Sequence, residues 1–154
     1  MSRGPRYVLH RRQRLRRGLE ETFAFFERPA NLPRITPPWL DFRILTPEPI
    51  VMRRGLILDY QVRIFGVRRP WRSLISEYDP PVGFRDEQVI GPYRVWDHRH
   101  RFWRDGDDTV IEDVVAYDPP GRLLGALLDR VAIRRQLRQI FDFRRQAIAA
   151  LLAG

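Results

Sequence analysis

The chain contains neither cysteine nor lysine. Without cysteine there are no disulfides and no thiol chemistry, which fits a reducing compartment. Without lysine, all 28 basic residues are arginine, a bias most simply explained by GC-rich coding. Long apolar runs are missing too. No stretch approaches the roughly 18 apolar residues of a membrane span, and Met1 to Arg6 lacks the apolar centre of a secretory signal. These absences predict a soluble cytoplasmic protein with a flexible start over 1–6. What is present is globular: 44% hydrophobic and 12% aromatic residues in 154, the size of one domain over 7–154. A chain this long buries roughly two-thirds of its unfolded surface and needs no metal to hold it together.

The net charge of +9 invites a nucleic-acid or anionic-surface reading. A nucleic-acid footprint concentrates on one face, whereas these arginines occupy almost every segment among 19 acidic residues. Solubility and weak attraction to anions, including a membrane surface, follow. Specific nucleic-acid binding does not.

Turn chemistry divides the chain clearly. Tyr7 to Arg14 reads as a first strand, Leu19 to Glu27 as a Phe-rich helix stopped before Pro29, and Pro29 onward as a brief helical turn closed by Pro37-Pro38. Strands are predicted at about 39–46, 56–65, 69–78, 84–90, 94–104 and 108–117, with loops short enough for antiparallel neighbours. After Pro119-Pro120-Gly121 the pattern is helical to the end. Its apolar residues form two stripes. Leu124, Leu127, Leu128 and Val131 lie on one, and Ile133, Leu137, Ile140, Phe141, Ile148 and Leu151 on the other, which predicts a kink or a separate turn near Asp129–Ile133. Strands followed by a helix on one sheet face make an α+β fold.

Residues 96–117 are the most informative. A two-residue hairpin loop at Asp105-Gly106-Asp107 gives the same faces in either of two registers. Trp96, His98, His100 and Phe102 share a side with Ile111, Asp113, Val115 and Tyr117, and Asp113 lies opposite one of the two histidines. The other side, with a predicted Arg101–Glu112 pair, is charged and faces water. Phe84, Asp86, Gln88 and Ile90 join the inner side if an odd loop or bulge occurs at Gly91-Pro92-Tyr93. Burying these polar groups costs several kcal/mol unless they bond one another or face a wet or liganded cavity. The cavity is the favoured reading, because pockets combine apolar walls with few convergent polar groups.

The run Phe84-x-Asp86-x-Gln88, Gly91-Pro92-Tyr93, Trp96-x-His98-x-His100-Arg101-Phe102, Thr109, Asp113-x-Val115-x-Tyr117 resembles a group of the START-like (SRPBCC) superfamily. Pro29-x-Asn31-Leu32, Ile35-Thr36-Pro37 and the closing Ile140-Phe141-x-Phe143-Arg144 add to the likeness. Members are described as ligand-binding or as polyketide cyclase/dehydrase-like, and similar domains occur fused to NAD-dependent epimerase-like oxidoreductases. Over residues 7–150 the resemblance implies a helix-grip fold: a curved seven-stranded antiparallel sheet wrapped around a long C-terminal helix, with two short helices after the first strand and a cavity between sheet and helix. It implies no fixed chemistry.

Candidate ligand contacts are Tyr60, Trp71, Ile75, Phe84, Asp86, Gln88, Trp96, His98, His100, Phe102, Ile111, Asp113, Tyr117, Phe141 and Arg144. Arg144 falls on the second helical stripe. Snorkelling to the rim is favoured for it over reaching a buried Asp86 or Asp113, where it would clamp an acidic ligand group. The leading expectation is a non-catalytic binder of a lipid, isoprenoid or polyketide-like molecule, with no cofactor. A cyclase or dehydratase would use His98 or His100 with Asp113 or Asp86 as an acid–base pair. His-x-His with Asp113 also has the form of a metal site, but two histidines are weak evidence and no metal is expected. Arg134, Arg135, Arg138 and Arg145 on the outer helix face could meet an acidic protein, though a solvated face explains them as well.

Overall fold

The computed structural model describes Pro5 and residues 7–120 and 126–152, with side chains in the last segment described from Arg130 onward. Strand β1 (Tyr7–Leu15) leads into helix α1 (Leu19–Phe26) and two 3-10 turns, Pro29–Ile35 and Pro38–Leu40. Strands β2 (Arg43–Ile44), β3 (Ile57–Ile64), β4 (Val67–Asp79), β5 (Gly83–Ile90), β6 (Val95–Asp105) and β7 (Asp108–Asp118) follow, and helix α2 (Ala126–Leu152) closes the chain. The strands form one antiparallel sheet in the order β1-β7-β6-β5-β4-β3-β2. This is the helix-grip α+β arrangement, with the inner sheet face turned toward α2.

Two departures from the sequence reading concern the edge strand and the helix. The strand expected at 39–46 shrinks to Arg43–Ile44, because Pro38 starts a 3-10 turn that takes Trp39 and Leu40. Asp41 ends that turn with a left-handed φ of 43°, and the chain reaches β3 only afterwards. Helix α2 is continuous in its helical assignment from Ala126 to Leu152, so no break or separate turn interrupts it near Asp129–Ile133. On the second stripe Ile133, Leu137, Phe141 and Ile148 are buried under the sheet, joined by Leu152, while Ile140 and Leu151 are half-buried. Val131, from the other stripe, is 60% exposed; Leu124 and the side chains of Leu127 and Leu128 lie outside the described residues.

Hairpins fix the register. Phe65 and Gly66 take φ values of 48° and 76° between Ile64 and Val67, the I′ pattern whose twist suits a two-residue loop. Gly106-Asp107 joins β6 to β7 so that Asp105 pairs with Asp108. This pairs Trp96 with Tyr117, His98 with Val115, His100 with Asp113 and Phe102 with Ile111. Between β5 and β6, Phe84 pairs with His100 and Asp86 with His98. The β5–β6 connection is irregular, as the inward placement of Asp86 requires, and it is closed by Gln88. The Gln88 side-chain amide donates to the Tyr93 carbonyl at 2.7 Å and accepts from the Tyr93 N–H at 3.0 Å.

The apolar interior forms two clusters. Leu15, Leu19, Phe23, Phe26, Phe84, Phe102, Ile111 and Ile148 pack at one end. Val62, Trp71, Tyr93, Val115, Tyr117, Leu137 and Phe141 pack at the other. On the outer face, Glu112 sits opposite Arg101 in register but does not bond it. Its carboxylate accepts instead from Arg12 at 2.6 Å and contacts His10 Nε2 at 2.8 Å, both on the neighbouring strand β1. That corrects the expected Arg101–Glu112 pair. It also places His10 on the outer face.

Candidate functional site: an aromatic cavity with a histidine–aspartate end

Between the inner sheet face, the 3-10 turns and α2 lies a cavity of about 170 Å³. Alternation along β3 and β4 supplies much of its wall: Leu58, Tyr60, Val62 and Ile64 from one strand, and Trp71, Ser73 and Ile75 from the other. Phe84, Tyr93 and Trp96 add aromatic surface, while Leu137, Ile140 and Arg144 approach from α2. Trp71 lies edge-on to Trp96, with centroids 5.3 Å apart, and stacks on Tyr60 at 5.7 Å. Ser73 satisfies this wall: its Oγ accepts from Trp71 Nε1 at 3.1 Å and shares a hydrogen bond of the same length with the Tyr60 hydroxyl. Burial, with the nearby Asp86 charge, pushes the Tyr60 phenol well above its ordinary range, so it stays neutral.

The polar end is built by β5, β6, β7 and α2. The rings of His98 and His100 stack at 3.6 Å, as side chains two residues apart on one strand face can. Each imidazole bonds the carboxylate opposite the other one. His98 Nε2 meets Asp113 Oδ1 at 2.8 Å, and His100 Nε2 meets Asp86 Oδ2 at 2.6 Å. Arg144 completes the cluster by donating from its terminal nitrogen to Asp113 Oδ1 at 3.3 Å, with its guanidinium 5.4 Å from the centre of the Phe26 ring.

Burial works against ionising either carboxyl, but the neighbours outweigh it. For Asp86 the His100 hydrogen bond leads, and for Asp113 the Arg144 charge; both are held below the usual carboxylate range. His100 moves the other way. Burial and the proximity of His98 push its pKa down to about 4, so it is neutral near pH 7. A neutral imidazole bonding an ionised Asp86 must donate from Nε2, which leaves Nδ1 as an acceptor. The occluded polar atoms without a partner among the described residues are Arg68 NH1, Ser76 Oγ, His100 Nδ1 and Arg144 Nε. His98 Nδ1 lies 3.8 Å from Asp86 Oδ2. Both belong to cavity-lining residues. Asp86 keeps 18% of its side chain accessible on the inner face.

Of the residues singled out from sequence, Tyr60, Trp71, Ile75, Phe84, Asp86, Trp96, His98, His100 and Arg144 line the cavity. Phe102, Ile111 and Tyr117 are packed into the clusters at its two ends, and Gln88 is committed to the Tyr93 loop. Asp113 and Phe141 stand one layer back, beside a void of about 20 Å³ between β1 and α2. Arg144 is 7% exposed and points inward. That corrects the favoured rim placement: an arginine in the middle of a buried stripe reaches the rim only from near a helix end, and here Asp113 supplies a buried counter-charge. Sequence reasoning missed Ser73, Gln136 and the lining from α1 and the first 3-10 turn, including Phe25, Phe26 and Leu32. Gln136 carried a readable signal, since it falls between Ile133 and Ile140 on the buried stripe.

Asp86, His98 and His100 offer ligand atoms within 4.8 Å of one another. A cation there would have to displace the His100–Asp86 hydrogen bond. No helix among the described residues is long and apolar enough to cross a membrane.

Known proteins share this architecture. The Zhui aromatase/cyclase of Streptomyces sp. R1128 superposes with a TM-score of 0.76 at 12% identity, covering 95% of this chain and 93% of that one. A START superfamily protein from Mycobacterium smegmatis gives 0.68 at 12% identity over 94% and 98%. The major latex-like protein 151 of Panax ginseng gives 0.66 at 14% identity over 96% and 98%. At these identities the likeness shows the fold. No curated protein gives a sequence match. Residues 17–144, however, match the family model for polyketide cyclase / dehydrase and lipid transport proteins. With the helix-grip architecture and the seven-stranded register behind it, that match places the chain in the polyketide cyclase / dehydrase and lipid transport family.

Proposed function

We propose that the protein binds a small hydrophobic molecule in the cavity between sheet and α2. The observation that carries this reading is the wall itself: aromatic and aliphatic side chains enclose about 170 Å³ and leave polar groups at one end. Apolar burial drives entry at roughly 25 cal/mol per Å², and a few polar atoms fix orientation. An apolar cavity of about 150 Å³ holds benzene, so the ligand is a compact one- or two-ring molecule rather than a long acyl chain. Native mass spectrometry of protein purified from its own host, with extraction of any bound molecule, tests this directly. Quenching of Trp71 and Trp96 in a Trp39→Phe/Trp103→Phe background follows binding in solution, since the two replaced tryptophans lie outside the cavity. A saturable quench supports the reading, whereas a host-purified protein that carries and accepts nothing apolar ends it.

A second reading is favoured by one observation. His98 lines the cavity with its Nε2 held by Asp113 at 2.8 Å, which leaves Nδ1 as the ring nitrogen not bonded to that carboxylate. That is the arrangement of a general base oriented by a carboxylate, as cyclisation or dehydration of a polyketide-like substrate would need. His100 is unsuited to the role, because its Nδ1 is occluded. His98→Phe separates the two readings: a binder keeps its ligand affinity within a few-fold, and an enzyme loses turnover while His100→Phe retains more of it.

A further inference from the structure

We infer that the protein docks on an anionic lipid bilayer through one patch of its surface: the tip of the β3–β4 hairpin, Trp39, and the flank of α2 at Val131 and Arg135. The inference goes beyond the reading of the cavity as a binding site and does not depend on it.

The hairpin tip carries the wrong chemistry for a turn that meets only water. Between β3 and β4 the chain reads Arg63-Ile64-Phe65-Gly66-Val67-Arg68-Arg69. Phe65 takes the first turn position with a φ of 48°. Asn, Asp or Gly fills that position without strain, and a bulky side chain rarely does. Phe65 gains little burial in return: it is 55% exposed, and Val67 is exposed beside it. Strain kept at an exposed aromatic points to a contact made outside the chain. Trp39 and Val131 are exposed as well, and with Phe65 they border one shallow depression. Apolar side chains scattered over a surface need no explanation, whereas large ones gathered at one place do.

Charge selects what covers the patch. Arg63 and Arg135 line the same depression, and among the described residues no acidic one does. Asp41, the carboxylate beside the hairpin, is outnumbered: Arg43 and Arg68 bond it, and Arg63 lies 3.9 Å from it. Arg69 and Arg135 meet no carboxylate among the described residues. Aromatic and aliphatic side chains beside arginines suit a bilayer with negative headgroups. The apolar groups enter the boundary between headgroups and chains, and the guanidinium groups stay with the phosphates. Each arginine near such a surface gives roughly a fivefold gain in partitioning. A second copy meeting the first patch to patch would bring no carboxylate from the described lining. Gln136 borders both this depression and the inner cavity, so docking sets the α2 wall of the cavity beside the lipid.

Co-sedimentation with phosphatidylcholine vesicles, with and without phosphatidylserine, tests the proposal. The expected result is binding to the phosphatidylserine vesicles at least about tenfold tighter than to the neutral ones, weakening as salt rises. Phe65→Asn separates this patch from the general positive charge of the chain. It leaves the charge unchanged and supplies the Asn-Gly pair that the turn prefers. It should keep or raise the urea midpoint while cutting vesicle binding at least about tenfold, the loss of one large buried apolar side chain. Trp39→Ser should act in the same direction, and it decides if Phe65→Asn does not fold. Arg63→Gln/Arg135→Gln should remove more of the phosphatidylserine preference than Arg99→Gln/Arg101→Gln, which takes the same charge from the outer sheet face. Equal binding to both vesicle types, no vesicle binding, full binding by Phe65→Asn, or equal effects of the two arginine pairs overturns the proposal. A dimer in analytical ultracentrifugation that Phe65→Asn dissolves also overturns it, since the patch is then an interface between two copies. None of these outcomes bears on ligand binding in the cavity.

Discussion

Arg144 and Asp113 are coupled more tightly than their separation of 3.3 Å alone conveys. Both are buried, so removing one leaves the other as an uncompensated charge. Arg144→Met is expected to destabilise the protein by about 3–5 kcal/mol in urea denaturation. The double variant Arg144→Met/Asp113→Asn should recover much of that loss; if the double is as unstable as the sum of the singles, the pair is not the cause. His100 sets a pH dependence with a definite sign. Its folded pKa of about 4 lies below the ordinary 6.5, so the unfolded chain takes up a proton that the folded cluster refuses. Stability therefore falls as pH drops from about 6.5 to 4, by up to roughly 3 kcal/mol. Below that window the depressed carboxyls of Asp86 and Asp113 act in the same sense: their contribution is present above the ordinary carboxylate range and is lost as pH falls through their lower folded values. Denaturation midpoints at pH 7, 5.5 and 4.5 check the trend, and a flat profile would refute the neutral, buried His100. The residue scale was partly legible in the chain. Alternation over β6 and β7 placed both histidines and Asp113 inside, because a period of two leaves no other choice. It could not say that each histidine would bond across the diagonal. That depends on side-chain rotamers and on the inward reach of Arg144, a contact made across 31 residues of chain.

At the scale of elements, β5 is held against β6 by a close approach that only glycine permits. A Cβ on Gly83 would lie 2.5 Å from the His100 carbonyl oxygen. Gly83→Ala must therefore push the start of β5 away from β6, moving Phe84 off the His100 ring it stacks on at 4.0 Å. The expected outcome is a loss of stability within the 1–3 kcal/mol range of overpacked sites, with faster amide exchange along the start of β5; unchanged exchange would show that the strands adjust without parting. Hairpins were legible from their loops, since Gly66 and Gly106 fall where a two-residue turn needs positive φ. Strand β2 was not. Trp39 and Leu40 have the composition of a strand, but Pro38 commits them to a 3-10 turn, and a local proline outweighs propensity. The helix departed from the reading too: two apolar stripes suggested a kink or a separate turn, whereas α2 is assigned as one continuous helix and leaves Val131 in water.

On the scale of the whole molecule, the family and the grip of sheet on helix were readable from motifs spread along the chain. The cavity's full lining was not, because α1 and the first 3-10 turn reach it only through tertiary packing. Among the described residues the sheet they cover is open rather than closed into a barrel, and β1 is one of its two margins, paired with β7. An unpaired strand margin is a template for another chain. Here that margin carries Arg11, Arg12 and Arg14, and Arg145 of α2 reaches over to donate to the Arg12 carbonyl at 3.0 Å. Arg11, Arg12 and Arg14 are each paired with a carboxylate of the same molecule, so it is the Arg145 contact, rather than free positive charge, that takes up main-chain acceptor capacity along this margin.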